Sequence, residues 1–351
     1  MSTQGEAAEL EKVLRTAEGE PLVILLSGHP DPDAIGSALA HKRICASVGV
    51  PATIAHVLPI ARPENRALVK LLGIEMIQVS SARELEAFRH VSLVDTCQPE
   101  ATIELPDELR VLTLVDHHRS SSPAQAAFTS VRPNLGATCT MYAEYLEAGL
   151  APLQSDSEND RHVATALLFG IQTDTDDFAL ASSADFGAAA YLKPFCDVAM
   201  LRRFGHRTID ARAMDAVGRA LHDLQVVRDF AIAGVGRVAA SNRDAIAIAA
   251  DFILRREDID TVLVYGIVDN RIDGSLRTSS PSVDPAQFLE SAFGKDASGR
   301  PYGGGRADKG GFQIPLGVLA EADDGEMLWT MVKQIVRTRL AQMVPDLASS
   351  T

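Results

Sequence analysis

No apolar run in this chain reaches the roughly 18 residues that a membrane-spanning helix needs, so no span is expected. Cysteine is scarce. Cys45, Cys97, Cys139 and Cys196 stand far apart without a Cys-x-x-Cys pair, which excludes a zinc knuckle or a dense disulfide framework and points to a reducing cytoplasm. Positive charge is also short: 33 Lys and Arg against 47 Asp and Glu leave −14. Such a field repels polyphosphate backbones at long range, so a protein that coats long nucleic acid is not expected. A locally cationic pocket for a short anion stays open, and it would need metal or clustered arginine. No internal repeat or low-complexity tract is present. With 46% hydrophobic and 23% charged residues, disorder and collagen are excluded. The amino-terminal residues are acidic and lead into an amphipathic stretch, so a soluble, unprocessed protein is predicted. At 351 residues the chain has about twice the usual single-domain length, and two domains are predicted.

What is present is alternation. After a helix at 5–18, the apolar run Pro21-Leu22-Val23-Ile24-Leu25-Leu26 stops at Ser27-Gly28-His29-Pro30-Asp31, as a strand buried on both faces would. Helix 34–48, strand 52–57, helix 64–72, strand 75–79, helix 82–88 and strands 91–94 and 111–115 follow. Strands alternating with helices predict a parallel sheet covered on both faces, with ligands beyond the carboxyl ends of its strands. Helices 136–150 and 160–172 close this first domain, 1–201. The charged stretch 202–229 reads as a helical connector. A smaller α/β domain, 230–351, then runs through strand 230–238, helix 243–255, strands 261–269 and 274–278, helix 285–293, a glycine-rich loop at 303–311 and a helix near 325–342.

Four loops after apolar segments carry acids or histidines: Asp31 and Asp33, Asp95, Asp116-His117-His118, and Asp174. A parallel sheet would gather them. Carboxylates so gathered repel one another and would shift their pKa upward unless a cation sits among them. Oxygen ligands mixed with imidazole suit manganese or other borderline divalent ions. Each piece also has a plain structural reading. Asp31-Pro32-Asp33 could be a turn with Asp33 capping helix 34–48. Asp95 could cap a strand end, and Asp174 could lie in a solvated turn. Three consecutive ionisable residues directly after a buried strand, Asp116-His117-His118, are harder to explain without a role. His41, His56, His90, His162, His206 and His222 are scattered singly and read as surface or packing residues. Gly234-Val235-Gly236 lacks the rest of a dinucleotide fingerprint and reads as a close backbone approach or a bulge.

In this order the motifs resemble those of the DHH phosphoesterases with an associated C-terminal DHHA1 domain, the group of nanoRNase/pAp phosphatases, RecJ-type exonucleases and cyclic-dinucleotide phosphodiesterases. Pro30-Asp31-Pro32-Asp33-Ala34-Ile35-Gly36-Ser37, Val94-Asp95-Thr96, Val115-Asp116-His117-His118-Arg119 and Gly170-Ile171-Gln172-Thr173-Asp174-Thr175 match the four family motifs, and the resemblance covers nearly the whole chain. It implies that Asp31, Asp33, Asp95, His117 and Asp174 ligate two Mn2+ ions, with Mg2+ or Co2+ as alternatives, and that Asp95 bridges them. It further implies that Asp116 orients an imidazole, that His118 faces the substrate phosphate, and that a metal-held hydroxide attacks. One departure stands out: Ser27 occupies the position of a usual histidine, and His29 could replace that ligand only through a reshaped loop. Tyr302-Gly303-Gly304-Gly305-Arg306 resembles the GGGH motif, with Arg306 in place of His. Guanidinium can bind phosphate but cannot exchange a proton near neutral pH. Gly303, Gly304, Gly305, Arg306 and Arg277 are the implied substrate-binding residues, although Arg277 could equally serve a structural ion pair.

The expectation is a cytoplasmic, manganese-dependent phosphoesterase of exonuclease type. It would hydrolyse short nucleotides (nano-oligonucleotides, pAp or dinucleotides) between its two domains, with no long nucleic acid or membrane as partner and a homodimer left open. The alternative is a nucleotide-binding or regulatory protein whose catalysis is weakened or lost through Ser27 and Arg306. A family II-like pyrophosphatase shares the first-domain motifs, and Gly303, Gly304 and Gly305 argue against it.

Overall fold

The computed structural model describes residues 2–98, 103–205, 209–322 and 324–344. They form two units, Met1–Arg207 and Thr208–Thr351, each with its own six-stranded sheet.

In the first unit, α1 (Thr3–Arg15) precedes β1 (Leu22–Leu26), α2 (Pro32–Ser47), β2 (Ala52–His56), α3 (Pro63–Leu71), β3 (Met76–Gln78), β4 (His90–Val94), β5 (Arg110–Asp116) and β6 (Phe128–Val131). Helices α4 (Thr138–Glu147), α5 (Glu158–Asp174), α6 (Ser183–Leu192) and α7 (Val198–Gly205) follow. The strands lie in the order β3-β2-β1-β4-β5-β6, and every pair is parallel. All five residues of β1 are buried because alternate side chains feed two cores. Leu22, Ile24 and Leu26 enter the core built with α1, α2, α4 and α5, while Val23 and Leu25 enter the one on the opposite face. Each such aliphatic side chain contributes about 1.5–3 kcal/mol on burial. The helix predicted at 82–88 is a short 3-10 turn, Ala82–Leu85, whose Leu85 belongs to the second of these cores. Strand β6 carries no long apolar run and was not foreseen.

The chain reverses its direction of growth between β1 and β4, and in parallel sheets a crevice opens outside the strand ends at such a point. Helices α2 and α5 meet beside it at glycines. A Cβ on Gly170 would lie 2.9 Å from the Pro32 carbonyl oxygen and 2.5 Å from Cys139 Sγ, and one on Gly36 would lie 2.8 Å from the Ala166 carbonyl oxygen. The missing side chains let the two backbones touch, which carries the carboxyl end of α5 to the amino end of α2.

The second unit comprises α8 (Ala211–Asp223), β7 (Gln225–Val227), β8 (Phe230–Val238), α9 (Asp244–Ile253), β9 (Thr261–Val268), β10 (Arg271–Thr278), α10 (Pro285–Phe293), β11 (Gly303–Arg306), β12 (Lys309–Pro315) and α11 (Gly325–Leu340). Its sheet order is β11-β12-β10-β9-β8-β7, with β8 and β9 parallel and the other pairs antiparallel. Helices α8 and α9 cover one face, α10 and α11 the other. The stretch 202–229 holds the end of α7, α8 and β7. Its first part ends α7, and Ala213, Ala216, Val217 and Ala220 of α8 are core residues of the second unit. His206 lies outside the described residues. The predicted glycine-rich loop is instead the hairpin of β11 and β12. Gly234-Val235-Gly236 holds both a close approach and a bulge. A Cβ on Gly234 would stand 2.5 Å from the Trp329 ring, and the register with β9 shifts between Gly234 and Arg237.

Candidate metal centre

Asp31 caps α2: its carboxylate accepts from the Ala34 amide at 2.9 Å, and Pro32 takes the first helical position. The cap expected of Asp33 thus belongs to Asp31. Buried Asp33 reaches across to another helix, accepting from the amides of Thr138 (2.8 Å) and Cys139 (2.7 Å). Helix α4 has Ala137 at its cap position and no capping side chain of its own, so Asp33 supplies the missing acceptor. Thr138 donates its hydroxyl to Asp95 Oδ1 at 2.8 Å. Asp95 itself sits in the left-handed region at φ 56°, a strained conformation for a residue with a Cβ.

His117 engages the Leu135 carbonyl through Nδ1 at 3.2 Å. Its Nε2 lies 3.1 Å from Asp174 Oδ2, 3.7 Å from Asp33 Oδ2 and 3.8 Å from Asp95 Oδ1. That nitrogen is buried and makes no hydrogen bond of good geometry, despite its nearness to three carboxylates. Asp116, fully buried, accepts from His118 twice, from the backbone amide at 2.9 Å and from Nδ1 at 2.8 Å. The imidazole it orients is therefore that of His118, whose side chain is 60% exposed. Among the described residues, two sets of ligand atoms fall within 4.8 Å of one another: Asp33, His117 and Asp174, and Asp95, His117 and His118.

The electrostatics are those of a cluster short of positive charge. Burial, reinforced by Asp174 and Asp31, pushes Asp33 up to about 6 against the pull of His117. Burial and then the charges of Asp33, Asp31 and Asp116 push Asp95 well above the ordinary carboxylate range. Asp31 is also raised, by burial and by Asp174. Burial would lower His117, but Asp174 and Asp33 outweigh it and hold the ring at about 9. Burial would raise Asp116, yet the hydrogen bonds from His118 keep it below its usual value, and the same bond raises His118. A divalent cation answers these demands together, since it screens the carboxylates and accepts the orphaned Nε2, whose ring is already oriented through Nδ1. The donor sets, carboxylate oxygens with one or two imidazoles, fit manganese or a similar borderline ion.

Of the predicted ligands, the structure brings together Asp33, Asp95, His117 and Asp174, with Asp31 within their electrostatic reach. His118 stands closer to the centre than a substrate contact alone requires, its Nδ1 3.6 Å from Asp95. His29 does not join these groups: its Nδ1 engages the Pro59 carbonyl at 3.0 Å, which fixes the ring in an exposed loop. Ser27 is buried and pairs with the Thr96 hydroxyl at 2.7 Å. Thr138, the Cys139 amide and the Leu135 carbonyl were missed. The only sequence signal for them is a helix start, Leu135-Gly136-Ala137-Thr138, whose first amides lack a local acceptor.

In the second unit, Arg277, Gly304, Gly305, Arg306, Lys309, Gly310 and Gly311 line a cavity of about 360 Å³. Arg277 makes the ion pair left open by the sequence, Nε to Asp251 Oδ1 at 2.5 Å, and still borders that cavity. Gly303 lies in the same strand but outside the lining.

A parallel α/β domain with a carboxylate and imidazole centre at its switch point is the class this first unit defines. Residues 23–171 match the DHH family, N-terminal domain, and the unit belongs to that family. Over 326 residues the chain is 35% identical to "Uncharacterized protein MJ1633" of Methanocaldococcus jannaschii, covering 92% of this chain and 64% of that protein. It is 26% identical over 317 residues to the cyclic-di-AMP phosphodiesterase PdeA of Listeria monocytogenes, covering 86% of this chain and 46% of PdeA. A protein of Streptococcus mutans named as a probable manganese-dependent inorganic pyrophosphatase is 30% identical over 156 residues, 43% of this chain and 48% of its own. The chain thus spans about half to two thirds of the length of these relatives. No helix among the described residues is long and apolar enough to cross a membrane.

Proposed function

We propose that the chain is a divalent-metal-dependent phosphoesterase acting on short nucleotides. The observation that carries this reading is the buried Nε2 of His117, without a hydrogen bond of good geometry, among the carboxylates of Asp33, Asp95 and Asp174. Those four residues, with Asp31, would hold manganese. The metal supplies charge that lowers the pKa of water and stabilises the oxygens of an in-line phosphoryl displacement. The protein's own groups prepare that site. The α4 amides fix both oxygens of Asp33, Thr138 fixes Asp95, and Asp116 holds His118 by Nδ1. His118, exposed and held through Nδ1 by Asp116, whose hydrogen bond raises it, can face a phosphate oxygen or the leaving group. In the second unit, exposed glycine backbone with Arg306 and Lys309 can take an anionic phosphate.

A nucleotide-binding role without efficient turnover is the second reading. It is favoured by Ser27, whose hydroxyl is tied to Thr96, and by Arg306, which cannot act as a general acid near neutrality. Metal content of the purified protein, with manganese-dependent release of product from pAp, pGpG and a cyclic dinucleotide, separates the two. Turnover of any of these establishes the enzyme; tight binding with metal present and no turnover establishes the binder.

A further inference from the structure

The turn after Asp174 is strained at three successive residues: Asp176, Asp177 and Phe178 take φ of 52°, 54° and 69°. Left-handed backbone is rare for residues with a Cβ and an outlier for a bulky one, and such strain concentrates at functional sites. Here it is pinned. The Asp177 amide donates to the Gln172 carbonyl at 2.8 Å, the Leu180 amide to the Thr175 carbonyl at 2.9 Å, and Gln172 Nε2 to Asp177 Oδ1 at 3.0 Å.

The conformation places the Phe178 ring against Phe186 of α6, centroids 5.7 Å apart and planes 23° from parallel. Phe178 packs on the main core, whereas Phe186 is 53% exposed and nearby Leu180 is 75% exposed. Core packing alone does not account for an aromatic pair left half in water. Both rings belong to segments tied to the candidate ligands. Phe178 follows Asp174 by four residues. Asp185, next to Phe186, accepts from the Gly136 amide (3.1 Å) and the Thr140 hydroxyl (2.5 Å), at the same helix start whose amides hold Asp33. The cavity lined by Arg277, Arg306 and Lys309 has cations and glycines in its lining and no aromatic ring, which suits a phosphate.

We infer that Phe178 and Phe186 form the stacking platform for the nucleobase of a short nucleotide, and that this pair makes the centre select nucleotides over base-free phosphates. The inference rests on the nucleotide reading above. A base has a flat π face of any sequence, and its stacking on an aromatic ring is commonly lost by a factor of about ten or more on truncation to alanine.

The test is calorimetric binding of AMP and of inorganic phosphate to the manganese-loaded full chain, with thermal melting alongside. The wild type should bind AMP at least tenfold more tightly than phosphate. Phe186→Ala should erase most of that ratio by weakening AMP alone, Phe186→Leu should behave like it, and Phe186→Trp should restore the ratio. An unchanged ratio in Phe186→Ala, or equal wild-type affinities for the two ligands, overturns the platform. So does a lowered melting temperature with the ratio intact, which assigns Phe186 to packing. Turnover of nucleotides with an unchanged ratio sinks only the platform. A platform-dependent ratio in a protein that hydrolyses no nucleotide sinks only the catalytic reading.

Discussion

The two units handle negative charge in opposite ways. In the first, Asp33 and Asp116 are buried and Asp95 nearly so, with Asp31 and the more exposed Asp174 beside them, and neighbouring acids make Asp33 and Asp95 costlier to ionise. In the second, the β11–β12 hairpin carries Arg306 and Lys309, which with Arg277 line a cavity. The first arrangement favours a cation, while the second gathers cations that favour an anion. Histidine shows the same contrast on a smaller scale. His117, among carboxylates, is held at about 9, whereas His41, buried among Ser92, Thr113 and Tyr142, is pushed down to about 3.

The comparison can be broken most severely at Asp95. Asp95→Asn should lower turnover by more than about a hundredfold, because its carboxylate stands beside both His117 and His118 and would be lost as an anionic ligand. Near-normal rates would refute the assignment. Next in size is the response to metal. At a hundredfold excess over the dissociation constant, manganese should stabilise the protein by about 2.7 kcal/mol, and chelation should remove the gain. Melting curves that ignore manganese would show that the cluster is not a metal site.

His41 sharpens the contrast through pH. Its folded pKa is depressed, so the unfolded chain binds the proton first as pH falls below 6.5, and stability present above that value is lost toward about 3. By pH 4.5 the loss from this residue should reach about 2–3 kcal/mol, at 1.36 kcal/mol per unit. Urea midpoints of His41→Gln should lack that acid arm; an identical slope in the variant would discount the buried ring. The smallest effect belongs to the second unit. Arg306→Gln should raise KM for a nucleotide by about tenfold, losing a charge-assisted contact of about 1.4 kcal/mol, and leave the melting temperature unchanged. A drop in stability with normal KM would make Arg306 structural.

Much of the first unit was legible because apolar runs such as 22–26 and 111–115 end abruptly in acids, and a parallel sheet puts such ends on one side. The helix predicted at 82–88 failed because its few apolar residues need only one short turn to cover the sheet. The hairpin at 303–315 hid behind glycine, which reads as loop, although successive Cβ-free residues also let two strands lie close.

The sequence by itself determined the strand and helix alternation, the order of the acidic loops and the shortage of positive charge, since periodicity and composition act over a few residues. Only the tertiary structure decided that Asp31 caps α2 while Asp33 holds α4, that His29 serves Pro59, and that Thr138 steadies Asp95. Those choices depend on strand order and on α2 touching α5 at Gly170, contacts between segments far apart in the chain that no local pattern encodes.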